Sequence, residues 1–224
     1  MLALLYDIHG NLPALEAVLA DASEADRFLV GGDIASFGAW PEETVERLRA
    51  LDGEWIRGNV DRWLADRSDA PEPMHPLLNA TVEALGDELV AELSTLPETT
   101  TREGVLYCHA SPLSDMESFL PEPGDRDAEL LMGTEARRVV FGHTHLAFRR
   151  DGPAGIELVN PGSVGIPLDG DRRSAYALVS DDGQVEQRRV EYDFAASAAA
   201  LRSRFGAAGE IPARRIEQSR FDVT

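Results

Sequence analysis

The chain has 224 residues, 43% of them hydrophobic and 27% charged, a balance that suits one sizeable buried core and excludes a disordered or membrane-spanning polypeptide. Its formal net charge is −19, and all 21 basic residues are arginine. No P-loop lysine, Schiff base or lysine general base can therefore exist, and the acidity disfavours long nucleic acids, which bind chiefly through phosphate neutralisation. A lone cysteine, Cys108, excludes internal disulfides and fits a reducing compartment. The apolar start, Met1 to Tyr6, is too short to span a membrane and lacks the basic flank of a signal peptide. A cytoplasmic protein without membrane contact is expected.

Taken in order, residues 2–6 read as a short apolar strand ending at Asp7-Ile8-His9-Gly10-Asn11. Pro13 opens an amphipathic helix with Leu12, Leu15, Val18 and Leu19 on one face. A second strand, Arg27 to Val30, ends at Gly31-Gly32-Asp33; a helix from about Pro41 to Leu51 follows. A third strand, Glu54 to Arg57, ends at Gly58-Asn59-Val60-Asp61. This βαβαβ opening predicts a parallel sheet with helices on its faces. Residues 63–76, with three prolines and His75, read as a solvated loop, and Leu77 to Leu96 as a helix interrupted at Gly86. A fourth strand, Val105 to Cys108, ends at His109, and residues 112–127 read as a loop able to act as a lid. A short helix near 126–133 leads to the strand Val139–Phe141 and then Gly142-His143-Thr144-His145. Beyond it, 147–150, 155–159, 174–180 and 185–192 read as short strands, expected to form an antiparallel portion closing a second sheet. Residues 194–205 read as a helix and the remainder as a tail or partner contact, all within one domain.

The chemistry collects at strand ends: Asp7, His9, Asp33, Asn59, His109, His143 and His145. Open α/β sheets place ligands at the carboxyl ends of their strands. In extended backbone, residues two apart share a face, so Asp7 with His9, and His143 with His145, are each expected to aim at one point. Carboxylate, imidazole and amide together suit first-row divalent metals rather than a closed thiolate site. Seven such donors exceed the need of one ion and suit two. Paired ions roughly 3.5–4 Å apart can activate a bridging hydroxide and clamp a phosphoryl group for in-line displacement.

In order and spacing, Asp7-Ile8-His9, Gly32-Asp33, Gly58-Asn59-Val60-Asp61, His109 and Gly142-His143-Thr144-His145 closely resemble the motifs of the calcineurin-like metallophosphoesterases. Asn160-Pro161-Gly162-Ser163-Val164-Gly165 is similar to a later segment of the small bacterial and archaeal phosphodiesterase branch. The resemblance implies a two-sheet α/β sandwich flanked by helices, in four layers. It implies one metal held by Asp7, His9, Asp33 and His145 and another by Asp33, Asn59, His109 and His143, with Asp33 bridging. Asp7, Asp33, Asn59 and His109 are thereby implied to be catalytic. Manganese is the implied ion, with iron, zinc, nickel or cobalt as alternatives. The substrate implied is a small phosphodiester or nucleotide. The alternatives are a phosphomonoesterase, a dinucleoside polyphosphate hydrolase or a non-catalytic scaffold of the same fold. Family phosphomonoesterases carry a histidine after the motif asparagine, where Val60 stands, and Asp61 would lack the partner it has there.

Around these residues, Asn11, Phe37 and Arg57 are candidate substrate contacts, with Trp40 beside Phe37 a candidate stacking ring; the role of Ser111 stays open. Cys108, one residue from His109, points to the opposite face and belongs to the core. Two divalent ions carry +4; Asp7, Asp33 and a hydroxide subtract 3, so the site stays positive within an acidic protein. Charges beyond the Debye length of about 8 Å are largely screened, which admits a small phosphoester and repels a long polyanion. Assembly with further copies of the chain stays open.

Overall fold

A computed structural model describes residues 1–223. The first sheet is built on β1 (Leu2–Leu5), which pairs in parallel with β2 (Arg27–Val30); β2 pairs in parallel with β3 (Gly53–Trp55). Two helices, α1 (Leu12–Asp21) and α2 (Pro41–Arg49), make the crossovers, each with proline in its first turn, where the missing N–H costs nothing. On the other side of β1, β9 (Ser174–Val179) and β10 (Val185–Val190) add antiparallel, giving the order β10-β9-β1-β2-β3. The second sheet runs β4 (Thr99–Arg102), β5 (Val105–Cys108), β6 (Arg138–Val140), β8 (Glu157–Asn160), β7 (Phe148–Asp151).

Alternation along β1 sets the layers. Leu4 and Tyr6 face the second sheet and pack with Leu29, Ile56, Val140 and Val159; Ala3 and Leu5 face the helices with Leu15, Val18 and Leu48. Burying leucines such as Leu4 and Leu29 contributes roughly 1.5–3 kcal/mol each. The Tyr6 hydroxyl, caught between sheets, donates to the Val140 carbonyl at 3.2 Å. The outer face of the second sheet is covered by Phe119 and by Leu130 of α5 (Asp127–Leu130), packed on Cys108, Val139 and Phe141. The result is the expected helix-flanked double sheet, with both sheets mixed. Among the described residues no helix is long and apolar enough to cross a membrane.

Four expectations need correction. The late strands do not close one sheet: β9 and β10 join the first, while β7 and β8 join the second, with β8 parallel to β6. Thr99–Arg102 forms a strand, turned into β5 by Glu103 (φ 51°) and Gly104 (φ 73°). The 63–76 loop is shorter than expected, because α3 spans Asn59–Ala65 and α4 begins at His75. His75 is half-buried, its Nε2 3.1 Å from the Ala70 carbonyl. α4 (His75–Ser94) is interrupted at Gly86 (φ 73°) as expected. The expected tail is instead α7 (Glu210–Gln218), packed on α6 (Phe194–Phe205) through Leu201, Ala213 and Ile216.

Candidate metal centre

All seven strand-end residues converge at one edge of the two sheets, where the backbone leaves β1, β2, β3, β5 and β6. The loop after β1 stays bonded to the loop after β2: His9 N–H donates to the Asp33 carbonyl at 2.8 Å, and Gly10 N–H to Ile34 at 2.8 Å. From the other sheet, His143 N–H donates to the Asp7 carboxylate at 2.9 Å. Gly142 permits that approach, since a Cβ there would stand 2.4 Å from Asp7 Oδ2.

The side chains are not aimed by extended backbone. Asp7 (φ 52°), His9 (52°), Asp33 (53°), His143 (66°) and His145 (58°) all adopt the left-handed conformation, as does Phe37 (76°). Each such non-glycine residue costs roughly 1–3 kcal/mol and persists only where its surroundings fix it. Because the chain coils at each motif, His143 and His145 separate: His143 turns toward Asn59 and His109, His145 toward His9 and Asp7.

Two adjoining donor groups result. In the first, one atom each of Asp7, His9, Asp33 and His145 lies within 4.8 Å of all the others, and all four residues are buried. In the second, Asn59 Oδ1 lies 3.0 Å from both His109 Nε2 and His143 Nδ1, and His109 Nε2 lies 3.4 Å from Asp33 Oδ1. Asp33 faces both groups, since its Oδ2 lies 3.7 Å from His9 Nε2.

The ring tautomers show what these groups need. His9 Nδ1 faces the Ser36 carbonyl at 3.0 Å, and His145 Nδ1 faces the Ile166 carbonyl at 2.6 Å. A carbonyl only accepts, so both Nδ1 atoms carry the proton and both Nε2 atoms present lone pairs. Those lone pairs meet at 3.1 Å. His109 Nδ1 is fixed likewise by the Gly31 carbonyl at 2.9 Å, leaving its Nε2 against Asn59 and Asp33 oxygens. Buried acceptors facing acceptors require a proton or a cation between them. Burial opposes protonation throughout. It holds His9 and His143 down at about 4. At His109 and His145 burial is outweighed by neighbouring carboxylate charge: Asp33 and Asp7 push His109 to about 10, and Asp7 pushes His145 up. A divalent cation in either group meets the same need, and the donor set fits it.

Asp61, without the histidine partner that Val60 cannot supply, is engaged by backbone instead. Its carboxylate accepts from the backbone N–H of Asp33 (2.8 Å), Gly58 (2.9 Å) and Ile34 (3.0 Å). Burial, then the nearby Asp33 charge, raises it to about 7 against those bonds. It positions Asp33 and starts α3. Asp61→Ala leaves three buried donors without an acceptor, at roughly 1–3 kcal/mol each. A loss of several kcal/mol in urea unfolding, measured in chelator so that metal plays no part, is the expected outcome.

Five of the seven, His9, Asp33, Asn59, His143 and His145, floor a cleft of about 380 Å³ with apolar walls that include Phe37, Val60, Trp63, Met74 and Ile166. Phe37 stacks on the His9 ring, centroids 5.5 Å apart. One wall carries Met116 from the 112–127 segment. That segment is anchored rather than loose: Arg62 pairs with Asp115 at 2.7 Å and Phe119 is fully buried.

A model of the calcineurin-like phosphoesterase superfamily domain matches residues 1–183. The chain belongs to this superfamily. It is similar to the crystal structure of a metallophosphoesterase from Sphaerobacter thermophilus, at 30% identity and a TM-score of 0.82 over 97% of this chain and 99% of that one. Its fold is also similar to hypothetical protein PH1004 of Pyrococcus horikoshii OT3, at 22% identity and a TM-score of 0.79 over 94% and 96% of the two chains. The uncharacterized protein MJ0912 of Methanocaldococcus jannaschii is 29% identical, over 86% of this chain and 88% of that protein. As a superfamily member the chain is a metal-binding phosphoric ester hydrolase by type.

The remaining candidates of this phosphoesterase divide. Phe37 lines the cleft, whereas Trp40 packs in the α6–α7 cluster. Asn11 lies away from the cleft lining: it is fully buried, donates to the Gly165 carbonyl at 2.7 Å and accepts from Ser197 Oγ at 2.9 Å. Arg57 is turned away too, held by the Ser94 carbonyl (3.1 Å) and Glu98 (2.5 Å) at the end of α4. Ser111 is buried in a turn closed on Ser114. Cys108 is buried in the outer core, which pushes its thiol up. Ile166, Arg215 and Phe221 line the cleft without any signal in the sequence, because neither periodicity nor motif marks them.

Proposed function

We propose that this superfamily member is a two-metal phosphoesterase acting on small phosphodiesters or nucleotides, with manganese the ion of choice and the cytoplasm its site of action. The supporting observation is the pair of adjoining donor groups with one Asp33 oxygen turned to each. Two divalent ions there would supply the nucleophilic oxygen and the clamp for in-line displacement. The chain's own part is to hold the donors before any ion arrives: backbone carbonyls fix three imidazole tautomers, and Asp61 fixes Asp33. The cleft volume falls in the roughly 300–1,000 Å³ range of small-molecule sites. A net charge of −19 discourages longer polyanions.

Metal analysis of the purified protein, with hydrolysis of bis-p-nitrophenyl phosphate under Mn²⁺, Co²⁺ and Ni²⁺, tests the reading. Two equivalents of metal and chelator-sensitive turnover are expected; metal-replete protein that carries none would overturn it. A scaffold that had lost catalysis would have no use for both complete donor groups, and the same assay retires it. Metal should also stabilise. An ion at 100 times its Kd adds about 2.7 kcal/mol per site if the unfolded chain does not bind it. Thermal unfolding with and without chelator is expected to show Tm rising with Mn²⁺.

A further inference from the structure

Beside the metal cleft lies an apolar recess of about 170 Å³, walled by Leu77 of α4 and by Ala208, Ile211 and Pro212 near or in α7. It adjoins the cleft: Phe37, Pro71, Met74, Ile166 and Arg215 line both. Among the described residues Arg215 is the only arginine lining the cleft, and it enters no ion pair there. Instead its guanidinium lies over the Phe221 ring, 4.2 Å from the centroid, and its Nε donates to the Phe221 carbonyl at 3.2 Å. Burial pushes the guanidinium down from its usual value, against the nearby Asp222 carboxylate, which raises it; an arriving anion acts in the same sense as Asp222. A substrate arm longer than the phosphoryl group and turned to this side meets an apolar recess with a cation on the wall it shares with the cleft.

We propose that the recess and Arg215 form the specificity site of this phosphoesterase, selecting a phosphoester that carries an aromatic or heterocyclic group. The ring enters between Phe37 and Pro212, and Arg215 binds a phosphoryl oxygen. This rests on the phosphoesterase reading and adds to it the chemistry of the substrate's organic arm. Phe37, stacked on His9, gives that ring a platform next to the donors. Arg215 is a planar donor fork suited to phosphate, held in place by its aromatic neighbour.

The test is calorimetric titration of Mn²⁺-loaded protein with phenylphosphonate and methylphosphonate, which share the anion and differ only in the ring. Burying one ring predicts about tenfold or greater preference for the phenyl compound. Ala208→Phe, which fills the recess, is expected to erase the preference while leaving methylphosphonate affinity intact. Ile211→Asp, at a half-exposed position that tolerates polarity, should reduce it as well and covers the case in which the first variant fails to fold. Arg215→Gln should raise the KM for bis-p-nitrophenyl phosphate about tenfold with a much smaller change in kcat. Equal affinity of wild type for the two phosphonates, or a preference untouched by both recess variants, overturns the proposal. Ring selectivity without any ester hydrolysis would overturn the catalytic reading alone, and hydrolysis without ring selectivity would overturn the recess alone.

Discussion

Asp33→Asn is expected to lower kcat by more than the roughly 10–100-fold that loss of an outer-shell partner costs, and to reduce bound metal from two equivalents toward one. The asymmetry follows from the bonds of Asp33. Its Oδ1 accepts the Val60 N–H at 2.9 Å and faces His109; its Oδ2 faces His9. An asparagine must put its oxygen against the Val60 N–H, since its amide group there would set donor against donor. The amide nitrogen then points toward the bare His9 Nε2, and the Asp7–His9–Asp33–His145 group loses an oxygen donor. The second group keeps its oxygen but loses a full negative charge. Asp33→Ala removes both oxygens and is expected to empty both groups. Metal content, kcat and unfolding in chelator should be measured together. Asparagine preserves the Val60 bond but gives up the charge that favours protonated His109, so the metal-free stability of Asp33→Asn should fall, though by less than that of Asp33→Ala. Wild-type turnover in a folded variant would remove Asp33 from the mechanism.

The seven clustered residues were legible because each is tied to a recurring local pattern, a buried strand that runs out beside glycine. Their backbone was not. Left-handed φ at Asp7, His9, Asp33, His143 and His145 reflects bonds made across two sheets, which no stretch of sequence records. The same holds for sheet membership: the apolar run in 174–179 marks a buried strand, but not that β9 lies beside β1. The first turn of α3 did carry a signal. Gly58 followed three positions later by Asp61 has the spacing of a helix start whose third residue accepts the cap N–H, and that bond is present at 2.9 Å. Arg57 and Asn11 lie outside the cleft lining because nearness in sequence to a clustered residue does not fix the direction of a side chain. The strand ending before Arg57 twists it toward the end of α4, and Asn11 turns under Gly165. Thr99–Arg102 escaped notice as a polar strand at the edge of its sheet, where one exposed face needs no apolar run.

Val60 carries the last consequence. General acid catalysis contributes on the order of 10²–10⁴-fold, most where the leaving group is a poor one. Val60 lines the cleft at the start of α3, beside the donor Asn59, and has no proton to give. Asp61 cannot take its place, because its oxygens are committed to three backbone N–H groups and it does not border the cleft. On the proposed reading, the departing oxygen draws its proton from water. Aryl phosphodiesters, whose leaving group is already stable as an anion, should suffer least and turn over much faster than alkyl phosphomonoesters. Val60→His restores an imidazole at the mouth of the donor groups. The ring is larger than valine, and Val60 packs with Trp63 in the core under the helices, so some loss of Tm is expected. Activity should nevertheless shift: kcat/KM for an alkyl monoester should rise relative to bis-p-nitrophenyl phosphate, by up to the lower part of the 10²–10⁴-fold range. The check is kcat/KM for both ester types, in wild type and variant, at saturating Mn²⁺. A wild type that prefers alkyl monoesters would mean that another group supplies the proton, and the diesterase assignment would fall while the metal centre stood.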